Sequence, residues 1–310
     1  MKLLLVLVLL FGCSKSEPKP APGSGSGSGP APAAEKLRVG VTLHPYFSWT
    51  SNVAAGLDIE VVAVLPGEVD AGNYQPSPDD IAKLAKLDAI VINGIGHDDF
   101  IRDMIKASGN TKIAVIEANA ATPLLPSTHG DAATNGLASS ANNSHTFISF
   151  TNAIQQSRLI AAKLGELRPA LAQKLKANAS AYADKLRAIQ SAAAKQLAGA
   201  KIKKVVTVHD GYSYLLEEFG IELAGVVQPA HGLVPSAKEL ADMITLMKEK
   251  RIQVVLTEED FPEKLLATLK EATGAKVYVI SHVATGDYTA DKFEREMEAN
   301  GKALIEALVN

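Results

Sequence analysis

Between residues 169 and 199 the larger apolar side chains are Leu171, Leu175, Tyr182, Leu186, Ile189 and Leu197, at spacings built from threes and fours. Such spacings lay one stripe along an α-helix. Lys174, Lys176, Asp184, Lys185, Arg187 and Lys195 fall largely on the other faces. Pro169 suits a first turn and Gly199 an exit. The pattern predicts one helix over residues 169–199, roughly 40 Å long at about 1.5 Å per residue.

On both sides of that helix, short apolar runs alternate with amphipathic stretches. Before it, strands are predicted at 36–43, 59–65, 89–93 and 112–116, with helices at 79–86, 101–108 and from about 151 to 167. After it, strands are predicted at 204–208, 225–228, 253–256 and 276–280, with helices at 212–218, 236–250, 262–273 and 290–308. Alternation of this kind implies parallel sheets covered on both faces. The expected fold class is therefore α/β: two Rossmann-like lobes with parallel sheets, residues 37–168 and 200–310, joined by the long connecting helix 169–199.

In parallel sheets ligands sit beyond the carboxyl ends of the strands. His44 follows the first predicted strand, His97 the third, His209 the first of the second half and His282 the last, while His145 closes the polar stretch 122–144. One histidine in such a place is usually a structural hydrogen-bonder. Several along one edge, offered by both lobes, would enclose a small cation. His129 lies inside the polar stretch and reads as a solvated loop residue. Gly94 and Gly96 do not complete a phosphate-binding Gly-x-Gly-x-x-Gly pattern, and acids follow them.

The chain has 310 residues, 47% hydrophobic and 21% charged, with a formal net charge of −3. These values describe a globular protein long enough for two domains and give no reason to expect nucleic acid. The amino terminus departs from that picture. Lys2 precedes an unbroken apolar run from Leu3 to Phe11, too short to span a bilayer, ending at Gly12-Cys13. Residues 1–13 resemble a bacterial lipoprotein signal with its lipobox, in which Cys13 carries the lipid; it is the only cysteine, so no internal disulfide is possible. Residues 14–36, rich in Gly, Ser and Ala-Pro, read as a flexible leash. The expectation is a lipid-anchored body outside the cytoplasmic membrane.

Several segments, in order, resemble the zinc- and manganese-binding receptors of bacterial ABC metal importers, over nearly all of residues 37–310. They are Tyr74-Gln75-Pro76-Ser77-Pro78-Asp79-Asp80, Asn143-Ser144-His145-Thr146-Phe147-Ile148, Val208-His209-Asp210-Gly211-Tyr212-Ser213-Tyr214, Pro235-Ser236-Ala237-Lys238-Glu239-Leu240 and the stretch 258–286. The resemblance implies a monomeric metal receptor, not an enzyme, that delivers its cargo to an ABC permease. It implies ligands at His145 and His209. The family's first ligand histidine usually precedes Tyr74, where this chain has Gly72-Asn73, and its last ligand is usually an aspartate where this chain has His282. The expected set is therefore His97, His145, His209 and His282, with His44 and Asp70 in reserve for the first position. His231 is left outside the set.

Four neutral imidazoles suit tetrahedral Zn(II), with copper or nickel next, whereas manganese prefers carboxylates. Asp98, Asp99 and Asp210 stand beside these histidines and are expected to orient their rings. A closed four-ligand set keeps no position for catalytic water, which argues against an envelope zinc hydrolase. A receptor for a siderophore or haem, and a surface adhesin, are the other readings open at this point.

Overall fold

The run Ala89–Ile92 is buried at every position, and so is Val254–Thr257. Uninterrupted burial is what an inner strand of a parallel sheet requires, since helices cover both of its faces. The structure, a computed structural model, describes residues 36–127, 142–228 and 233–310. The expected signal, the lipobox cysteine Cys13 and the leash up to residue 35 fall outside the described residues, as do His129 and His231.

Eight strands form two parallel sheets among these residues. The first sheet has the order β2-β1-β3-β4, from β1 (Leu37–Val41), β2 (Ile59–Ala63), β3 (Ala89–Ile92) and β4 (Ala114–Glu117). The second repeats that order as β6-β5-β7-β8, from β5 (Lys204–Thr207), β6 (Glu222–Val226), β7 (Val254–Thr257) and β8 (Lys276–Val279). Helices α1 (His44–Val53), α2 (Pro78–Leu84) and α3 (Ile101–Ala107) serve the first sheet. Helices α6 (Ser213–Glu218), α7 (Ala237–Glu249) and α8 (Glu263–Thr273) serve the second.

Between the sheets run α4 (Phe150–Leu167) and the connecting helix α5 (Ala172–Leu197), and the chain closes with α9 (Lys292–Val309). The predicted helix 169–199 is thus a 3-10 turn, Pro169–Leu171, followed by a 26-residue α-helix. Pro169 opens the turn, and Leu175, Ala179, Tyr182, Leu186, Ala193 and Leu197 form the buried stripe. At about 1.5 Å per residue the helix is some 39 Å long. Its partners lie along its whole length. Asn178 Nδ2 donates to the carbonyls of Val53 and Ala55 at 2.9 Å each, at the end of α1 and just past it. Tyr182 donates its hydroxyl to Glu294 at 2.9 Å and Lys185 pairs with the same carboxylate at 2.6 Å, on α9.

Two elements depart from the sequence reading. Helix α1 was not predicted, because a segment buried on most sides shows no amphipathic stripe: His44, Pro45, Tyr46, Ser48, Trp49, Thr50 and Val53 are all buried. Strand β6 lies at Glu222–Val226 rather than 225–228, and its register against β5 shifts between Val205 and Val206.

One apolar core runs from Leu37 through α4, α5 and α9 to Leu215, Leu256 and Ile280 of the second half. Trp49 stands at its centre, wholly buried, in edge contact with Phe293 of α9 at 5.2 Å and with Tyr46 at 5.2 Å. A smaller cluster around Val206, Val255, Met247 and Leu269 fills the far face of the second sheet. The carboxylate of Glu218 at the end of α6 receives Phe150 N, Thr151 N and the Ser149 hydroxyl at 2.6–3.1 Å. An acid from one half thus caps the positive end of a helix that packs with the other. No helix among the described residues is long and apolar enough to cross a membrane.

Candidate metal centre

Each loop that leaves a strand end is held by its own polar anchor, and the anchors decide where the imidazoles point. After β3 the chain wraps around Asp98. This buried carboxylate accepts from Thr42 Oγ1 at 2.5 Å, Asn93 N at 2.7 Å and Gly94 N at 3.1 Å, which fixes the turn carrying His97. Burial raises the Asp98 pKa, opposed by these hydrogen bonds. Asn143 performs the same service for His145. Its Oδ1 accepts His145 N at 2.9 Å and lies 2.9 Å from His145 Nδ1, while its Nδ2 donates to the Asp210 carbonyl at 2.8 Å.

His209 follows β5 after one intervening residue, with Thr207 Oγ1 donating to its carbonyl at 2.6 Å. Its Nδ1 lies 3.0 Å from Glu258 Oε1, an oxygen that also accepts the Tyr212 hydroxyl at 3.0 Å. His282 follows β8, and its Nδ1 lies 3.3 Å from Asp70 Oδ2. Asp70 caps the 3-10 turn Ala71–Asn73 through Gly72 N at 2.9 Å, and its Oδ1 lies 3.3 Å from His97 Nε2.

These anchors bring four rings together. His145 lies 4.5 Å from His209, 5.2 Å from His282 and 5.0 Å from His97 between ring centroids, and His209 lies 4.8 Å from His282. His145, His209 and His282 each offer a nitrogen within 4.8 Å of the other two. A tetrahedral zinc with bonds of about 2.0–2.1 Å asks for about 3.3 Å between donors, so small inward turns of the rings suffice. The oxygens of Asn143, Glu258 and Asp70 can accept a hydrogen from Nδ1 of His145, His209 and His282. In that tautomer Nε2 carries the lone pair in all three rings.

Gly211 makes the closeness possible. A Cβ there would lie 3.0 Å from His209 Cε1 and 3.0 Å from His282 Nε2, so any larger residue would press the two rings apart.

The charges around the rings fit the same arrangement. Burial would raise the Glu258 pKa, but the hydrogen bonds from His209 and Tyr212 and the His282 charge outweigh it and bring it to about 2. Burial lowers the His282 pKa, and the hydrogen bond and charge of Asp70 more than reverse this, leaving it above the ordinary value.

Of the expected ligands, His97, His145, His209 and His282 share one cluster. Asp70 joins them, between His97 and His282. His44 does not: its Nε2 lies 2.8 Å from the Gly286 carbonyl, and its ring stacks on Tyr288 at 3.8 Å. The expectation that Asp98 and Asp99 orient imidazoles is corrected. Asp98 spends its oxygens on the backbone and on Thr42, and the Asp99 side chain is exposed. Asp210 receives Ser127 and Ser213 hydroxyls at 3.2 and 2.8 Å and meets the histidines through its carbonyl on Asn143. The ring-facing partners Asn143 and Glu258 were not named from sequence. Glu258 follows β7 immediately, so the rule that found the histidines also points to it.

Two parallel lobes bridged by a long helix, with imidazoles gathered where the strand ends meet, are the architecture of a solute-binding receptor. Comparison with known proteins agrees. Residues 39–307 match the family described as ZnuA, zinc-uptake complex component A, periplasmic. Two solved structures of the Pseudomonas aeruginosa solute-binding protein FpvC, one with Ni2+ and one with Mn2+, are 41% and 42% identical, each with a TM-score of 0.79. They cover 88% of this chain and 97% and 98% of their own. A putative metal-binding protein of Treponema pallidum is 26% identical, with 84% of each chain covered. The zinc-binding lipoprotein AdcA of Streptococcus pneumoniae is 25% identical over 87% of this chain but only 55% of its own length, so the chain spans about half of that relative.

The chain belongs to the zinc-uptake component A family. It is an extracytoplasmic solute-binding receptor of an ABC importer.

Proposed function

We propose that the receptor's cargo is Zn(II), held by Nε2 of His145, His209 and His282 with His97 as the fourth ligand. The observation that carries this reading is the shared orientation of three rings, those of His145 and His209 buried and that of His282 nearly so, whose Nδ1 atoms lie against oxygens of Asn143, Glu258 and Asp70. An all-imidazole set suits zinc, then copper or nickel. His97 enters the set when the cation draws its Nε2 away from Asp70. That motion leaves Asp70 on His282 as the acid that orients it.

The cargo is captured outside the cytoplasmic membrane and passed to a permease driven by an ATPase. The body works as a monomer, tied to the membrane by lipid on Cys13 through the leash of residues 14–36. The long helix α5 and the core shared between the lobes favour release by small movements over wide opening.

Metal analysis after zinc exposure and desalting tests the reading. The expected result is about one zinc per chain, with affinity reduced well over tenfold by His145→Ala and by His209→Ala. Unchanged zinc binding in both variants would remove the site. A second reading, with Asp70 in place of His97 around a harder cation, is favoured by the Asp70 carboxylate standing 3.3 Å from both His97 and His282. Titration of the His97→Ala and Asp70→Ala variants with zinc and manganese separates the two: the residue whose loss costs more zinc affinity is the ligand.

A further inference from the structure

Residues 281–291 leave β8, carry His282 and cross to the first lobe. The near end of this loop is fixed on α9. Ser281 N donates to Asn300 Oδ1 at 2.7 Å, and Asn300 Nδ2 returns a bond to the Ser281 carbonyl at 2.8 Å. The far end is fixed on the first lobe. Ser48 Oγ donates to the Thr289 carbonyl at 2.8 Å and Asn52 Nδ2 to the Ala290 carbonyl at 2.7 Å.

Between these anchors lies a third fastening, four residues beyond His282. His44 Nε2 is 2.8 Å from the Gly286 carbonyl, and Gly286 N donates to the Gly67 carbonyl at 2.7 Å. A carbonyl only accepts, so His44 Nε2 carries the hydrogen. The His44 ring then lies flat on Tyr288, 3.8 Å away and 4° from parallel. Gly67 fits against Gly286 so closely that a Cβ at residue 67 would come within 2.4 Å of the Gly286 oxygen.

Resting on the receptor reading above, we propose that His44 is a positioning residue for His282: together with Gly67 and Tyr288 it clasps the His282 loop to the first lobe and so slows escape of the bound cation. His44 is buried and its ring stands on Gly286 and Tyr288, outside the ligand set. Its hydrogen bond and ring stack act only on residues 286 and 288. With the loop held at residues 281, 286 and 289–290, His282 leaves the cation only by breaking a fastening. Without the clasp at Gly286 the span from residue 281 to 289 is held at its ends alone and can swing His282 aside.

Zinc itself is the probe, on the full chain. The rate of zinc loss to excess chelator is followed by stopped flow for the parent and for His44→Ala, His44→Gln and Gly67→Ala. Removing one hydrogen bond and one stack is expected to speed loss roughly tenfold in His44→Ala, with association within about twofold of the parent. His44→Gln keeps a donor and falls between. Gly67→Ala, which touches no histidine, speeds loss by forcing Gly286 away. Tyr288→Phe keeps the ring and matches the parent. Parental loss rates in both His44→Ala and Gly67→Ala overturn the proposal, as does a lowered melting temperature of the metal-free protein with no change in loss rate. Should His44→Ala fail to fold, Gly67→Ala and Tyr288→Leu decide it on the same measure. A parent that retains no zinc would instead defeat the receptor reading.

Discussion

Glu258 Oε1 lies 3.0 Å from His209 Nδ1 and takes the Tyr212 hydroxyl on the same atom. The carboxylate therefore fixes both the angle and the tautomer of a proposed zinc ligand while Tyr212 fixes the carboxylate. Outer partners of this kind are generally worth about 10–100-fold in metal affinity. Glu258→Gln is expected to weaken zinc by an amount in that range, and Tyr212→Phe by less. Competition against a chromogenic chelator measures both. An unchanged Glu258→Gln would show that His209 holds its ring without help.

Gly211 allows no Cβ between His209 and His282. Gly211→Ala forces atoms into contacts of 3.0 Å with both rings, so one imidazole must turn away. The expected loss of zinc affinity is roughly tenfold or more, with the metal-free melting temperature little altered. Calorimetric titration beside thermal melts checks the two halves of that statement.

Proton competition should be visible at His282. Its pKa stands above the ordinary value of about 6.5 because Asp70 outweighs burial. A protonated imidazole cannot bind metal, so zinc affinity falls as pH drops through this raised value and recovers above it. The sign reverses for the metal-free protein. The stability contributed by the Asp70–His282 pair is present below about 6.5 and is lost as pH rises through the folded pKa. Asp70→Asn removes the raising charge and moves the onset of zinc loss to lower pH. Zinc titrations between about pH 5 and pH 8 on both proteins test it.

The segment Tyr74 to Asp80 has a structural meaning of its own. Burial would raise the Asp80 pKa, but hydrogen bonds from Ser77, Tyr74 and Lys83 hold it well below the usual carboxylate range. Ser77 and Asp80 form a reciprocal cap on α2, and Tyr74 donates to Asp80 at 2.5 Å. Stability from this group is complete above about pH 3.9 and drains away as pH falls through the depressed pKa. Asp80→Ala is expected to cost about 1–2 kcal/mol at neutral pH, read by urea unfolding, with the penalty shrinking in acid.

Much of the fold was legible because its inner strands are continuous apolar runs and its connecting helix keeps a stripe. Ala89–Ile92 and Leu175 through Leu197 carry those signals openly. Helix α1 was hidden for the opposite reason: with Tyr46, Trp49 and Val53 on one side and His44, Ser48 and Thr50 also covered, no polar face marks it. The histidine cluster was legible from the strand-end rule, since parallel sheets send every strand end to the same edge. Orienting acids were not. A carboxylate beside a histidine in sequence turns elsewhere in a loop, as Asp98 does, whereas Asp70 reaches the His282 ring by a path that only the folded chain defines, and Glu258, though it stands at a strand end, meets its partner His209 only in the fold.

Trp49 is the chain's single tryptophan, and its ring is sealed between Tyr46 and Phe293. Its emission therefore reports on one place only, the seam of α1 with α9. The fastenings of the His282 loop spring from the same two helices, at Ser48, Asn52 and Asn300. Cargo arrival that tightens this seam will change the quenching of an unlabelled protein, while movement confined to β7 and α8 will leave the signal dark. The molecule comes with its own optical gauge.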